Sequence, residues 1–341
     1  MQDTIRSGRA WMAGAMMLAT TALAAERPQA KPPAPVKGVA AKPAAKAPAQ
    51  PVIKPTLADV SYGSHTNQVL DFYKAKSAQP APLLFFIHGG GWNRGGKDRI
   101  ARLNEYLAAG ISVVSIQYRF VPEAHAAGVK PPVQWPLQDA ARALQFVRSK
   151  AVEWNIDKTR IGASGGSAGA CSSLWLAFHD DMAEPGSADP VARESTRLYC
   201  AGVMGAQTTL DPQQMKEWTP NSKYGGHAFG LNGDKEKQLS SFQQFLESRE
   251  QILPWIKAYS PYALASAGDP PVCLEYNTPP ALGQDQKDPT HSANFGVKLQ
   301  ERLREVGVPC ELTYPGASNV AHRSAVDFLI ATLKQPAKGQ P

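Results

Sequence analysis

Two glycine-rich stretches contain the residues best suited to chemistry. The first, His88–Trp92, reads HGGGW, and the second, Gly165–Gly169, reads GGSAG. The second has the G-x-S-x-G spacing of a sharp strand-to-helix turn that exposes a serine hydroxyl. The glycines of the first, here called the glycine loop (residues 88–92), let backbone N–H groups approach a substrate oxygen and stabilise the negative charge of a tetrahedral intermediate. Together the stretches predict an acyl-transfer site with Ser167 as nucleophile.

A second serine, Ser164, fits the same spacing because glycines also flank it at the required positions. Choosing Ser164 would leave almost no strand after the turn at residues 157–159. Ser167 instead follows an apolar strand pattern that ends at Ser164 and precedes the apolar helix pattern of Ala168–Phe178. The order strand, tight turn and helix therefore favours Ser167.

The first 24 residues have the pattern of a secretory signal peptide. Arg6 and Arg9 precede the mostly apolar run Ala10–Ala19, and Ala22–Ala24 forms a small-x-small cleavage pattern. The apolar run is short for a membrane span, so cleavage is favoured over anchoring. We therefore expect a secreted or periplasmic protein.

Residues 25–58 are predicted to be a disordered linker. Eight prolines and six cations, with no acid, lie between Arg27 and Pro55, so this stretch cannot build a core. Of the net charge of +7, the linker carries +5, the signal peptide +1 and the remainder +1. A nucleic-acid partner for the folded domain therefore gains no support. The linker either makes weak contact with an anionic envelope surface or is merely solvated.

Residues 59–341 alternate buried-strand and helix patterns, which predicts one α/β domain. Residues 211–262, here called the excursion, interrupt the alternation with aromatic side chains among polar ones. We expect a small lid-like insertion whose aromatic residues either line an acyl or aryl pocket or simply pack the insertion onto the domain. The four cysteines lack paired C-x-x-C spacing, which predicts buried thiols and no zinc site; Cys273 and Cys310 form the pair to examine for a disulfide.

The motifs resemble those of the α/β-hydrolase superfamily, specifically its bacterial esterase and lipase branch related to hormone-sensitive lipase and to acetyl and feruloyl esterases. The resemblance rests on four stretches: Phe86–Trp92, Gly95–Lys97, Tyr118-Arg119 and Gly165–Gly169. It implies an eight-stranded, mostly parallel sheet with helices on both faces. It also implies a triad in the chain order Ser, Asp, His.

The same resemblance assigns roles around the serine. Gly90, Gly91 and the N–H of Ala168 should face the oxyanion, whereas His88 should shape the glycine loop through hydrogen bonds. Trp92, which ends the loop, is expected to contact substrate. No metal or cofactor is expected.

Chain order selects the remaining two groups of the triad. His322 is the only histidine beyond the last predicted strand, so we expect it to be the base, although Ser318 and Asn319 lengthen its loop relative to the family pattern. Asp288 precedes the next helix at the familiar distance and is the expected acid, with Asp285 as the alternative. Glu275, inside a strand, is expected to be a structural ion-pair partner. The other histidines show no metal spacing and are expected to be surface or packing residues: His65, His125, His179, His227 and His291.

The expected function is that of an exported serine carboxylesterase acting on short-chain or aryl esters, among them acetyl or feruloyl esters of polysaccharides. Two alternatives remain open. One is a catalytically impaired hydrolase fold that binds ligands in the envelope, favoured by the irregular acid and base loops. The other is an amidase with the same triad; peptidases of this fold normally carry a large extra domain for which this length leaves no room.

Overall fold

Eight β-strands form one sheet in residues 53–318 and 320–336, the part of the chain that this computed structural model describes. The strands are β1 (Leu57–Ser61), β2 (Val69–Tyr73), β3 (Ala81–Ile87), β4 (Ser112–Ile116), β5 (Ile156–Gly166), β6 (Cys200–Met204), β7 (Val272–Glu275) and β8 (Cys310–Thr313). The predicted signal peptide, residues 1–24, and most of the predicted linker, residues 25–58, lie outside the described residues.

The strand order is β1-β2-β4-β3-β5-β6-β7-β8. The pairs β1–β2 and β2–β4 are antiparallel, and every other pair is parallel. The carboxyl ends of the parallel strands therefore meet at one edge of the sheet, where α/β proteins bind their ligands. The loops after β3, β5, β6 and β7 consequently lie side by side.

Helices cover both faces of the sheet. They are α1 (Leu103–Ala108), α2 (Val121–Ala126), α3 (Gln134–Ser149), α4 (Ala151–Trp154), α5 (Ala168–Phe178), α6 (Pro212–Trp218), α7 (Ser241–Glu247), α8 (Arg249–Tyr259), α9 (Pro261–Leu264), α10 (Asn294–Glu305) and α11 (Ala325–Leu333). Side chains of β3 alternate between two cores: Leu83 and Phe85 join the core under α3, α5 and α10, whereas Leu84 joins the core under α1 and α11. This alternation produces the α/β sandwich.

The central strand–turn–helix unit is held together by glycines. All residues of α5 are buried, so this helix must approach β3 and β5 closely. A Cβ atom on Gly165 would lie 2.3 Å from the carbonyl oxygen of Ile87, and one on Gly169 would lie 2.0 Å from it. Both distances are far inside van der Waals contact, so only glycine permits this packing.

The architecture confirms the expected fold, with local differences. The sequence has helical periodicity over residues 98–109, which predicts a helix there. Helix α1 begins only at Leu103, because Arg102 adopts a left-handed conformation with φ of 55°. The excursion contains α6–α9 and a short 3₁₀ helix, Gly226–Phe229. Its Trp218 is buried with its ring edge-on to Tyr262 at 5.2 Å, which is packing rather than pocket lining.

The four cysteines are free thiols, and three of them are buried. Cys273 and Cys310 lie on the paired strands β7 and β8 without forming a disulfide. Within residues 53–318 and 320–336, no helix has both the length and the apolar character to cross a bilayer.

Candidate active site

Ser167 lies between the end of β5 and the start of α5. Its φ of 54° and ψ of −122° are strained for a residue with a side chain, at a cost of about 1–3 kcal/mol. Its backbone N–H donates to the carbonyl oxygen of Met204 at 3.0 Å, which fixes the turn against β6. The alternative Ser164 lies buried inside β5, where its hydroxyl donates to the carbonyl oxygen of Gly202 at 2.7 Å. The strained turn therefore presents Ser167.

The hydroxyl of Ser167 is hydrogen-bonded to a histidine that sequence reasoning treated as a surface or packing residue. The Ser167 Oγ atom lies 2.9 Å from Nε2 of His291, and Nδ1 of the same ring lies 2.8 Å from Oδ2 of Asp288. With Asp288 ionised, Nδ1 carries the proton and donates to the carboxylate, so Nε2 accepts from the serine. This is the hydrogen-bond pattern of a serine, a base and an orienting acid.

His291 and Asp288 belong to one short turn. A 3₁₀ helix, Pro289–His291, begins directly after Asp288, whose Oδ1 accepts the backbone N–H of His291 at 3.3 Å. At this three-residue spacing two side chains project from the same side of a turn. The sequence therefore contained a signal, D-x-x-H after the seventh strand. Chain order alone predicts the base beyond the last strand, and this signal lies before that strand.

His322, the expected base, lies elsewhere. Its Nδ1 is 2.9 Å from Oε1 of Glu311, its backbone N–H donates to Oε2 of that residue at 3.1 Å, and its ring lies edge-on to Phe328. Glu311 projects from β8 and draws the histidine back onto that strand. The expectation that His322 contacts Ser167 is thus wrong, whereas Asp288 does hold the histidine that contacts Ser167.

Asp285 and Glu275, the other two carboxylates considered from the sequence, lie in different surroundings. Asp285 is exposed, and in the described part of the chain its carboxylate makes no hydrogen bond. Glu275 accepts the backbone N–H of Ala325 at 2.8 Å and so caps the start of α11. Its role is helix capping rather than the expected ion pair.

The ionisation of Asp288 suits the orienting role. Partial burial acts to raise the pKa of this carboxyl, but the hydrogen bond and charge of His291, with two backbone N–H groups, outweigh it. The pKa of Asp288 is therefore lowered, and the group is a carboxylate at neutral pH. Its side chain is 62% exposed, so water screens the interaction with His291.

Hydrogen bonds to carbonyl oxygens orient the glycine loop. Nδ1 of His88 donates to the carbonyl oxygen of Gly89 at 2.7 Å, and the N–H of Asn93 donates to the carbonyl oxygen of Gly90 at 3.1 Å. In a trans peptide the N–H points opposite to the C=O. Fixing these two carbonyl groups therefore points the N–H groups of Gly90 and Gly91 away from His88 and Asn93, respectively. Among the described residues neither N–H has a protein acceptor. Both glycines have positive φ, 104° and 64°, which glycine adopts without strain.

Ala168 supplies the third expected donor. It is the first residue of α5, and the first four N–H groups of a helix lack intrahelical acceptors. The N-terminal end of the helix also carries partial positive charge. The positions of Gly90, Gly91 and Ala168 therefore suit stabilisation of an oxyanion formed at Ser167.

Tyr118, which follows β4, holds His88 and the loop from behind, whereas its neighbour Arg119 is fixed to α3. The Tyr118 hydroxyl donates to the carbonyl oxygen of His88 at 2.9 Å, and its ring stacks on the imidazole at 4.3 Å between centroids. Arg119 makes a two-pronged ion pair with the buried carboxylate of Asp139, which raises the pKa of the guanidinium. Burial lowers the pKa of His88 although the Gly89 bond acts oppositely, so this imidazole is neutral at neutral pH.

Two further residues differ from expectation. Trp92 has no exposed surface, and its Nε1 donates to the hydroxyl of Ser172 at 2.9 Å, so it anchors the loop to α5 instead of contacting substrate. His227, expected to be a surface or packing residue, reaches from the excursion to the loop, where its Nε2 donates to the carbonyl oxygen of Gly91 at 2.9 Å. Burial lowers its pKa despite that bond, so it too is neutral.

The profile of the family described as BD-FAE matches residues 70–282, well over half of the chain. The chain belongs to the BD-FAE family. The matched segment includes the glycine loop and Ser167 but ends before Asp288 and His291. The family profile thus covers Ser167 and the expected oxyanion donors, whereas Asp288 and His291 lie outside it.

Curated relatives and solved structures point the same way. The chain is 35% identical over 123 residues to gut esterase 1 of Caenorhabditis elegans. This alignment covers 34% of this chain and 22% of that protein. It is 37% identical over 99 residues to carboxylesterase NlhH of Mycobacterium tuberculosis, with 28% of each chain covered. The chain thus spans about a quarter of the length of these relatives.

Among solved structures, the acetyl ester-xyloside bifunctional hydrolase of Caldicellulosiruptor lactoaceticus aligns with a TM-score of 0.53 and 25% identity. The alignment covers 72% of this chain and 76% of that one. The fold is therefore that of the α/β-hydrolases.

Proposed function

We propose that the protein hydrolyses carboxylic esters through an acyl-enzyme on Ser167. The observation that carries the proposal is the continuous hydrogen-bond chain from Ser167 through His291 to Asp288, at 2.9 and 2.8 Å. These distances fall within the range that nucleophile–base and base–acid pairs require. The triad keeps the chain order Ser, Asp, His, with both later groups on the turn after β7.

In the first half of the reaction, Nε2 of His291 takes the proton of Ser167 as Oγ bonds to the ester carbonyl carbon. The carbonyl oxygen becomes an oxyanion facing the N–H groups of Gly90, Gly91 and Ala168. Asp288 stabilises the imidazolium. The C–O bond to the alcohol then breaks, and His291 returns its proton to the leaving oxygen.

In the second half, His291 takes a proton from water as the water oxygen attacks the acyl carbon. Collapse of this second oxyanion intermediate releases the carboxylic acid and returns the proton to Ser167. Because His88 and His227 are neutral and hydrogen-bonded to carbonyl oxygens of the loop, they hold the donors without titrating near neutral pH.

Short acyl groups, acetyl above all, are the proposed substrates. The names of gut esterase 1, carboxylesterase NlhH and the acetyl ester-xyloside hydrolase support ester cleavage and, for the last, acetyl esters. The protein is also proposed to be exported, on the strength of the signal-peptide pattern of residues 1–24. Cell fractionation with and without residues 1–24 tests the export proposal; retention of both forms in the cytosol would contradict it.

Labelling with a fluorophosphonate, together with turnover of p-nitrophenyl acetate, tests the catalytic proposal. Ser164 and Ser167 share one tryptic peptide, residues 161–193, so fragment ions must locate the label. We expect the label on Ser167, and a loss of about 10⁶-fold in kcat for Ser167→Ala. Ser164→Ala is the matched control and should retain labelling. A label on Ser164, or normal turnover by Ser167→Ala, would overturn the proposal.

A further inference from the structure

A cavity of about 730 Å³ opens next to the nucleophile, between the loops after β3, β5 and β6. Backbone of Gly89, Gly90 and Gly166 lines it, together with Met204 at the end of β6. A Cβ atom on Gly89 would lie 3.4 Å from Cβ of Ser167, so part of the lining lies close to that residue. A group bound in this cavity would therefore adjoin an ester held at Ser167.

The cavity lining next to Ser167 is glycine backbone without side chains. Gly166 precedes Ser167, and a Cβ atom there would meet nothing closer than the carbonyl oxygen of Met204 at 3.8 Å. The φ of Gly166 is not positive, so backbone strain does not require glycine at this position. Space that a side chain would otherwise fill is thus left to the cavity, whose volume is in the range of small-molecule sites.

Arg94 and Arg99 also line the cavity. Both side chains are exposed, and within the described ranges neither forms an ion pair or a side-chain hydrogen bond. Lys97, which lies between them in sequence, is instead engaged by Asp59 and Asp71 at 2.8 Å each. Arginine binds carboxylates through two parallel hydrogen bonds, so these residues are suited to a ligand carboxylate.

The same cavity is also lined by Asp98, whose exposed carboxylate accepts hydrogen bonds. A ligand hydroxyl can therefore donate to Asp98.

We propose that this cavity binds a hexuronate, so that the ester cleaved at Ser167 is an acyl group on an acidic saccharide. The sugar carboxylate pairs with Arg94 and Arg99, and a sugar hydroxyl donates to Asp98. A neutral sugar would leave both guanidinium groups without an anion, and a simple carboxylate would leave Asp98 without a donor. The inference rests on the proposed esterase function and names its substrate class.

Two matched substrates test the proposal: methyl galactopyranosiduronate and methyl galactopyranoside, each monoacetylated at O2 or O3, with acetate release as the readout. The pair differs only in a carboxylate against a hydroxymethyl group. For at least one acetyl position, we expect the wild-type enzyme to favour the uronate by about tenfold or more in kcat/KM, as charge-assisted hydrogen bonds imply. Added salt should reduce the preference.

The double variant Arg94→Gln, Arg99→Gln should bring the ratio of the two kcat/KM values to about one. Arg304→Gln is the matched control and should leave the ratio unchanged. Arg304 is an exposed arginine of α10, about 15 Å along that helix from its start near His291. All three side chains are exposed, so these variants should fold.

The outcomes separate the two proposals. Turnover of p-nitrophenyl acetate that depends on Ser167, with no preference for either uronate, overturns the hexuronate inference alone. A preference that survives the double variant also overturns it. No Ser167-dependent turnover of any ester overturns the proposed function and this inference with it.

Discussion

Two histidine–carboxylate pairs follow the last two strands of the sheet. His291 and Asp288 come after β7, with 2.8 Å between Nδ1 and Oδ2, and His322 pairs with Glu311 of β8 at 2.9 Å. The two hydrogen bonds are nearly the same length, and all four side chains are partly exposed. Only His291 places its other nitrogen on a serine hydroxyl. A carboxylate can therefore orient an imidazole in either place, and contact with Ser167 distinguishes His291, the proposed base.

The pairs also differ in how the chain builds them. Asp288 and His291 are three residues apart in one turn, so local backbone geometry sets their distance. Glu311 and His322 are eleven residues apart, and Glu311 binds both the ring and the backbone N–H of His322. The second pair therefore fastens the loop after β8 to its strand, which is a structural role.

The largest expected effect separates the two histidines directly. His291→Ala should lower kcat/KM for p-nitrophenyl acetate by about 10⁴- to 10⁶-fold, because serine and base act as one unit. His322→Ala is the matched control and should stay within about threefold of the wild type. A severe loss in His322→Ala with a normal melting temperature, alongside an active His291→Ala, would reverse the assignment.

Substituting the two carboxylates should also affect kcat unequally, with a smaller difference than for the two histidines. Asp288→Asn should cost about 10²- to 10⁴-fold in kcat, since removing a triad acid is less damaging than removing the base and water already screens this carboxylate. Glu311→Gln should leave kcat within about threefold. Steady-state kinetics of the two variants in parallel check this, and equal losses would show that the comparison is wrong.

Substitution of a third histidine, His227, should have an intermediate effect on kcat. His227 contacts the glycine loop through the carbonyl oxygen of Gly91 but is not hydrogen-bonded to Ser167. His227→Leu removes the bond that steadies this loop, so we expect kcat to fall by about tenfold with little change in KM. His125→Leu, a histidine of α2, is the control. Wild-type kcat in His227→Leu would show that the other contacts of the loop suffice.

The smallest effects concern stability. Glu311→Gln should lower the free energy of unfolding by about 0.5–1 kcal/mol, the value of a partly exposed pair. The lowered pKa of Asp288 means that its carboxylate stabilises the fold above its ordinary pKa of about 3.9 and loses this contribution as the pH falls through the folded value. The difference in melting temperature between wild type and Asp288→Asn should thus shrink as the pH falls below about 4.

Sequence patterns predicted the fold and the position of Ser167 between a strand and a helix, because both depend on local rules. The run Ala168–Phe178 is apolar throughout and follows a glycine turn, and the helix has those same bounds. Asp288 was predicted to orient His322, but its carboxylate is hydrogen-bonded to His291. The identity of that histidine depended on how the loops after β7 and β8 fold back, which is decided by non-local contacts such as Glu311 with His322.

The roles of Trp92 and His227 could not be read from the sequence for a similar reason. A tryptophan beside glycines looks like a ligand contact until the position of Ser172 is known. His227 lies in the excursion, where no periodic pattern relates its position to the glycine loop. Both interactions join residues far apart in the chain.

The placement of acid and base on one exposed turn has a consequence for heat tolerance. Opening of residues 288–291 alone would remove both groups from Ser167, and little apolar surface holds that turn closed, since none of the residues of the 3₁₀ helix is buried. The sheet, by contrast, is packed between two buried cores. Activity should therefore decline reversibly on warming at temperatures where the sheet is still fully folded, so that the working range of the protein is set by four residues and not by its melting point.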